Sequence, residues 1–168
     1  MVILGIDPGF AIVGFGILEV SKKGEMSVID YGVIETKKEE TINERIYSIC
    51  GALNVLIDKY KPDNIVFEEL FFHSNAKTVI NVAQARGAML LTATNKIGID
   101  GLYEYTPLQI KQAITGYGRA DKQQMQQMVK MLLKLKSIPK PDDAADALAV
   151  AICHAQTSKF AGLFKVNR

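Results

Sequence analysis

The sequence predicts an α/β domain on a five-stranded mixed sheet, a three-strand antiparallel meander joined to parallel strands and flanked by helices. Three features carry that expectation. Val2–Ile6 is a near-continuous apolar run, the pattern of a central strand buried on both faces. Ile12–Val20 and Met26–Glu35 follow as strand-like segments separated by the turn Lys22-Lys23-Gly24. The two later strand-like segments, Asn64–Phe67 and Leu102–Tyr105, each come after a helical stretch, so they are reached by crossovers and run parallel to their neighbours.

The helices are read from apolar spacing. After Thr41, Ile42, Ile46, Ile49, Leu53, Leu56 and Tyr60 recur every three or four residues, an amphipathic helix closed before Pro62. An alanine-rich helix is expected from Asn75 to about Lys96, ending near Gly98. Pro107 stops the fifth strand, and shorter helices follow over Leu108–Thr115 and Lys122–Leu135. The last, about Asp142–Thr157, is entered through Pro139 and Pro141 with acidic residues in its first turn. The spacing predicts one domain over residues 1–157 and a C-terminal tail over 158–168.

Composition narrows the class. The chain has 168 residues, 48% hydrophobic and 23% charged, a balance that excludes a disordered protein. No apolar run approaches the roughly 18–20 residues that cross a bilayer. The opening Met1-Val2-Ile3-Leu4-Gly5-Ile6-Asp7 lacks the basic segment of a signal peptide, and Cys50 and Cys153 lie in apolar helical patterns without Cys-x-x-Cys spacing. A cytoplasmic protein with buried, reduced thiols is expected. There is no Walker-type phosphate loop, His-Glu-x-x-His, Gly-x-Ser-x-Gly or internal repeat. Net charge is only +2, yet residues 25–69 hold ten acidic and five basic side chains while 109–140 hold seven basic and one acidic. One face is therefore expected to be positive.

The chemistry is expected where carboxylates end strands. Asp7 closes the first strand, and Glu68 and Glu69 close the fourth, both at the carboxyl edge where open α/β sheets bind ligands. Alternation lets only one of Glu68 and Glu69 join Asp7, leaving the other solvated. An Asp that merely caps the Pro8-Gly9 turn is an equally simple reading of Asp7 alone. Asp143 and Asp146, three apart, share a helix face, and the flanking alanines let that helix approach the sheet. Dipole complementarity accounts for Asp142 and Asp143 but not for Asp146, a turn further in. Converging carboxylates with no basic residue between them repel, and a divalent cation relieves the repulsion. An all-oxygen donor set favours Mg²⁺ or Mn²⁺ and suits two-ion phosphodiester hydrolysis.

The basic segment fits a polyanion. Lys111, Arg119 and Lys122 flank Thr115-Gly116-Tyr117-Gly118, and Lys130, Lys134, Lys136 and Lys140 follow. Phe71-Phe72-His73 begins a loop directly after the Glu68-Glu69-Leu70 step, where one aromatic is available to stack on a base. His154 and His73 read more simply as packed residues than as helpers of the site. Met125, Met128 and Met131 fit helix packing or a partner surface.

These residues resemble the RuvC family of Holliday-junction resolvases. The matching segments are Gly5-Ile6-Asp7-Pro8-Gly9, Phe67-Glu68, Gln84-Ala85-Arg86-Gly87, Gln109-Ile110-Lys111-Gln112-Ala113, Gly116-Tyr117-Gly118-Arg119-Ala120-Asp121-Lys122 and Asp143-Ala144-Ala145-Asp146-Ala147-Leu148-Ala149. They occur in family order and reach to about residue 157. The resemblance implies an RNase H-like fold and a Mg²⁺-dependent homodimer that binds four-way DNA junctions and nicks two opposed strands symmetrically. It implies catalytic and metal-binding roles for Asp7, Glu68, Asp143 and Asp146, with two ions per site. It assigns DNA contacts to Phe71, Lys111 and Lys122; Arg119 joins them from its place in the basic segment. The family works with the RuvA–RuvB branch-migration complex. Glu69 and Phe72 fall where the family varies. The helix from Asn75, with small Ala83, Ala85, Gly87 and Ala88, is the expected dimer contact.

The sequence leaves three competing readings. The Asp7 to Gly14 turn also resembles the phosphate-binding hairpin of actin-like ATPases and sugar kinases, although those enzymes pair two such domains. An RNA–DNA hybrid nuclease is separable by substrate, and a junction-binding protein without catalysis by its lack of turnover.

Overall fold

The computed structural model describes residues 1–70, 76–157 and Val166. Its five strands are β1 (Val2–Asp7), β2 (Ile12–Val20), β3 (Met26–Glu35), β4 (Asn64–Glu68) and β5 (Leu102–Tyr105), ordered β3-β2-β1-β4-β5. The meander β1–β2–β3 is antiparallel, and β4 and β5 add in parallel, as the apolar runs and crossovers predict. The helices are α1 (Ile42–Tyr60), α2 (Ala76–Ile97), α3 (Pro107–Thr115), α4 (Lys122–Leu132) and α5 (Asp142–Thr157). The expected tail 158–168 lies outside the described residues except for Val166, which packs against the core near Leu102. Asn75, where the second helix was expected to begin, also lies outside them.

Local chemistry sets the helix ends. Thr41, Thr106 and Asp121 each close a capping box with a Glu or Gln three residues on, which satisfies two otherwise orphaned backbone N–H groups at each start. Thr106 lets α3 begin at Pro107, one residue before the expected Leu108, because proline needs no partner at the first helical position. α4 ends at Leu132 rather than Leu135, since Lys134 turns into the left-handed region at φ 52°.

Helices cover both faces of the sheet. On one face, Leu4, Ile6, Ile17, Ile65 and Phe67 pack with Ile49, Leu53 and Ile57 of α1 and Ala85, Met89 and Ala93 of α2. On the other, Ile3, Leu18 and Val66 meet α5, with α3 and α4 packed beyond it. α5 is buried nearly all round, from Ala144 to His154. Its closeness to the sheet follows from glycine. A Cβ on Gly5 would fall 2.3 Å from the Ala147 carbonyl oxygen, and one on Gly14 would fall 2.1 Å from that of Asp143. Gly5 and Gly16 are cross-strand partners, as are Asp7 and Gly14, so glycines on two strands form the seat of one helix.

The two cysteines differ in burial, and His154 lies in the core. Cys153 is buried beneath α3 and its thiol is pushed up to about 12 by burial. Cys50, expected to be buried as well, is half-exposed because its helical position lies beside the outer stripe Tyr47, Gly51 and Val55 of α1. His154 is a packed residue. It is 1% exposed, its Nδ1 lies 2.9 Å from the Tyr105 hydroxyl, and its ring lies 4.4 Å from that of Tyr103. Burial holds its imidazole down at about 4.

Candidate active site

Strand alternation decides which carboxylates meet. Along β1, Ile3 and Gly5 face α5 while Leu4 and Ile6 face α1, so Asp7 points to the α5 side. Along β4, Val66 faces α5, which puts Glu68 on that side too. Ile6 and Phe67 are parallel partners, so Asp7 and Glu68 end adjacent strands one step further on. Glu69, past the strand end, is exposed, as alternation predicts.

The helix brings the other two acids. Asp143 sits with its carbonyl against Gly14, and Asp146 lies one turn along the same face of α5. The electrostatics report the convergence. Burial, followed by the charges of Glu68, Asp146 and Asp143, holds the Asp7 carboxyl well above the usual carboxylate range. Burial and Asp146 push Glu68 up to about 7, against the opposing pull of Lys111. Asp146 is also raised, by burial first, although Lys122 draws it down.

An open cleft above these acids is lined by Glu68, Asp146, Lys111 and Lys122, with Pro107 and Ile110 forming part of its apolar wall. Lys111 comes from α3, and Lys122 opens α4. Basic residues therefore do enter the acidic group. The Lys122 ammonium lies 3.4 Å from Asp146 and 3.5 Å from Asp142, while Lys140 pairs with Asp142 at 2.6 Å. Burial lowers the Lys122 affinity for its proton, but Asp146 and Asp142 outweigh it and the net direction is upward. Asp142 is more than a dipole complement, because two lysines share its carboxylate. No sequence signal separated it from Asp143; only the approach of α4 does so.

Arg119 is exposed in the turn between α3 and α4. Phe71, Phe72 and His73 lie outside the described residues. Among the small residues of α2, Ala85 is fully buried in the core, so it is unavailable to a partner; Ala83 and Gly87 are exposed and Ala88 is half-buried. The 3.6-residue period places Ala85 on the inner face.

The donor set fits a hard divalent cation. All four acids offer oxygen alone, and the crowding that lifts Asp7 and Glu68 is the conflict such an ion relieves. Among the described residues, no three such side chains already stand in a metal-ligating arrangement, and the Lys122 contact occupies one side of Asp146.

The family model for crossover junction endodeoxyribonuclease RuvC matches residues 3–154. The chain belongs to the RuvC family. A RuvC crossover junction endodeoxyribonuclease of Alkaliphilus oremlandii is 52% identical over 167 residues, covering 99% of this chain and all of the relative. The structure of Thermus thermophilus RuvC in complex with a Holliday junction substrate superimposes with a TM-score of 0.90 at 33% identity, covering 98% of each chain. A yeast mitochondrial Holliday junction resolvase shares the fold, with a TM-score of 0.66 at 16% identity over 96% of this chain and 83% of its own. Among the described residues, no helix is long and apolar enough to cross a membrane.

Proposed function

We propose that this chain is a crossover junction endodeoxyribonuclease that resolves four-way DNA junctions, with Asp7, Glu68, Asp143 and Asp146 as its catalytic acids. The observation that carries this reading is the convergence of four carboxylates from β1, β4 and α5 beneath a cleft edged by Lys111 and Lys122. Two Mg²⁺ ions held by those acids, with Mn²⁺ as a substitute, would activate a water molecule and stabilise the leaving 3′ oxygen of the cut strand. Asp7 and Glu68 must give up protons before they bind a cation, because burial favours their neutral forms. Lys111 and Lys122 neutralise phosphates that approach the cleft, and Arg119 extends that positive rim. A cation held by Asp146 would repel the Lys122 ammonium, so Lys122 is expected to leave that carboxylate when the site is filled.

The catalytic unit is residues 1–157, working in the cytoplasm. A homodimer places two such sites in two-fold register with the opposed strands of a junction. The outer face of α2, where Ile80, Ala83, Gly87 and Leu91 are exposed at helical spacing, is the surface that suits a second copy. The RuvA–RuvB branch-migration complex is the partner that family membership suggests, and Phe71 is the aromatic assigned to the junction.

The test uses a mobile four-way junction with each strand labelled in turn, incubated with protein and Mg²⁺. Matching nicks on two opposed strands, sealed afterwards by ligase, are the expected result. Preferential cutting of duplex or RNA–DNA hybrid controls would overturn the substrate. Asp146→Asn should lower the rate by at least about a hundredfold, and full activity in that variant would overturn the metal-carboxylate mechanism.

A further inference from the structure

The turn between α3 and α4 carries an aromatic side chain that the acidic site does not use. Tyr117 is 53% exposed. Among the described residues its ring makes no ring contact and its hydroxyl no hydrogen bond; its polar contacts all run through the main chain. A half-exposed tyrosine on a loose loop would mean little. This one stands on a built turn.

Both ends of the turn are pinned. Gly116 caps α3 at φ 72°, in the left-handed region that favours glycine, with its N–H on the Gln112 carbonyl at 2.8 Å. The Thr115 hydroxyl accepts the Tyr117 N–H at 3.2 Å and lies 2.8 Å from the carbonyls of Lys111 and Tyr117. Beyond it Ala120 is buried, and Asp121 closes the capping box of α4 with Gln124. The main chain of Tyr117 is thus fixed while its ring is left in solvent. Such an aromatic loses little conformational freedom when it binds a flat partner.

Charge identifies the partner. Lys111 lies on α3 six residues before Tyr117, and Arg119 and Lys122 follow within five, with Lys111 and Lys122 lining the cleft. An exposed π-face on a turn flanked in the chain by cations, two of which line the cleft, offers a nucleic-acid strand both stacking and phosphate neutralisation. We propose that Tyr117 is a nucleobase-stacking contact for the junction DNA, supplied by the α3–α4 turn independently of the loop after β4. This assignment rests on the junction-resolving reading above.

The experiment measures equilibrium binding of a labelled four-way junction by fluorescence anisotropy, without divalent metal, over a range of salt concentrations. Tyr117→Ala and Tyr117→Leu should each weaken binding by about tenfold, and Tyr117→Phe should bind as the parent does. The salt dependence should be unchanged in all three, because stacking neutralises no phosphate. Arg119→Ala should lower its slope by about one. Parental affinity in Tyr117→Ala, a Phe variant as weak as the Ala variant, or a slope altered by Tyr117→Ala would each overturn the proposal. A parent protein that does not prefer the junction to duplex would instead overturn the functional reading on which it rests.

Discussion

On the α5 face, β1 and β2 present Gly5, Gly14 and Gly16, and a helix backbone settles directly against strand backbone. On the α1/α2 face the same strands present Leu4, Ile6, Val13 and Ile17, which hold their helices off at ordinary side-chain distance. The first arrangement fixes backbone to backbone, so Asp143 and Asp146 are placed by atoms that cannot rotate away. The second is a conventional aliphatic core, in which each buried Leu or Ile contributes about 1.5–3 kcal/mol and small shifts are absorbed by rotamers. The carboxylates proposed as catalytic would need the tighter tolerance, and the glycine seat lies on the side where they stand.

The sharpest test of this contrast adds one methyl group to the backbone seat of α5, with a methyl on the solvent side of α1 as the control. Gly14→Ala puts a Cβ where the Asp143 carbonyl oxygen lies, so α5 must move; a destabilisation of about 3 kcal/mol and loss of most nicking activity are expected. Gly51→Ala on α1 meets nothing within 4 Å and removes a helix glycine, so it should stabilise by about 0.5–1 kcal/mol and leave activity unchanged. Chemical denaturation with parallel junction assays reads both. A Gly14→Ala variant as stable and active as the Gly51→Ala control would remove the backbone seat from the account.

A second test addresses what the α1/α2 face does instead. Leu91, 63% exposed on α2, lies on the stripe assigned to a second copy. Leu91→Asp should weaken self-association at least tenfold in sedimentation equilibrium, with thermal stability of the separated chain little changed. Unaltered association would move the dimer contact elsewhere.

A third test is a pH dependence that belongs to the acid face alone. Glu68, held at about 7, and Asp7, raised by burial and its acidic neighbours, bind protons more tightly folded than unfolded. Without metal, their contribution favours the fold at low pH and is lost as pH rises through the folded value near 7. Mn²⁺ at one fixed concentration, a hundredfold above its Kd at pH 8, should therefore raise the melting temperature very little at pH 5 and by roughly 5–10 °C at pH 8. His154 has the opposite sign: its share is intact above 6.5 and disappears as pH falls toward 4. It contributes equally with and without metal, so the difference between the two melting curves isolates the acids. A metal-induced rise independent of pH would contradict the assignment.

Much of this face is legible in the sequence. Apolar runs ending in Asp7 and Glu68 mark strand ends; alternation admits only one of Glu68 and Glu69, and the family resemblance points to Glu68. The Asp143–Asp146 spacing marks a helix face, and alanines announce its close approach. What escapes the sequence is tertiary. Gly5, Gly14 and Gly16 read as strand positions until α5 is seen against them. Asp142 cannot be told from Asp143 until α4 delivers Lys122. Ala85 looks like any small residue of α2 until the period is anchored to the core, and Cys50 is half-exposed for the same reason. The end of α4 at Leu132 depends on Lys134 adopting a positive φ, which a lysine does not advertise.

The most direct test of the account is a crystal structure grown with Mn²⁺, read by anomalous scattering. The account predicts an ion bound within about 2.5 Å by Asp7 and by at least one oxygen of Glu68, Asp143 or Asp146, with the Lys122 ammonium displaced from Asp146. Manganese bound elsewhere, with Asp7 unligated and Lys122 still on Asp146, would contradict it.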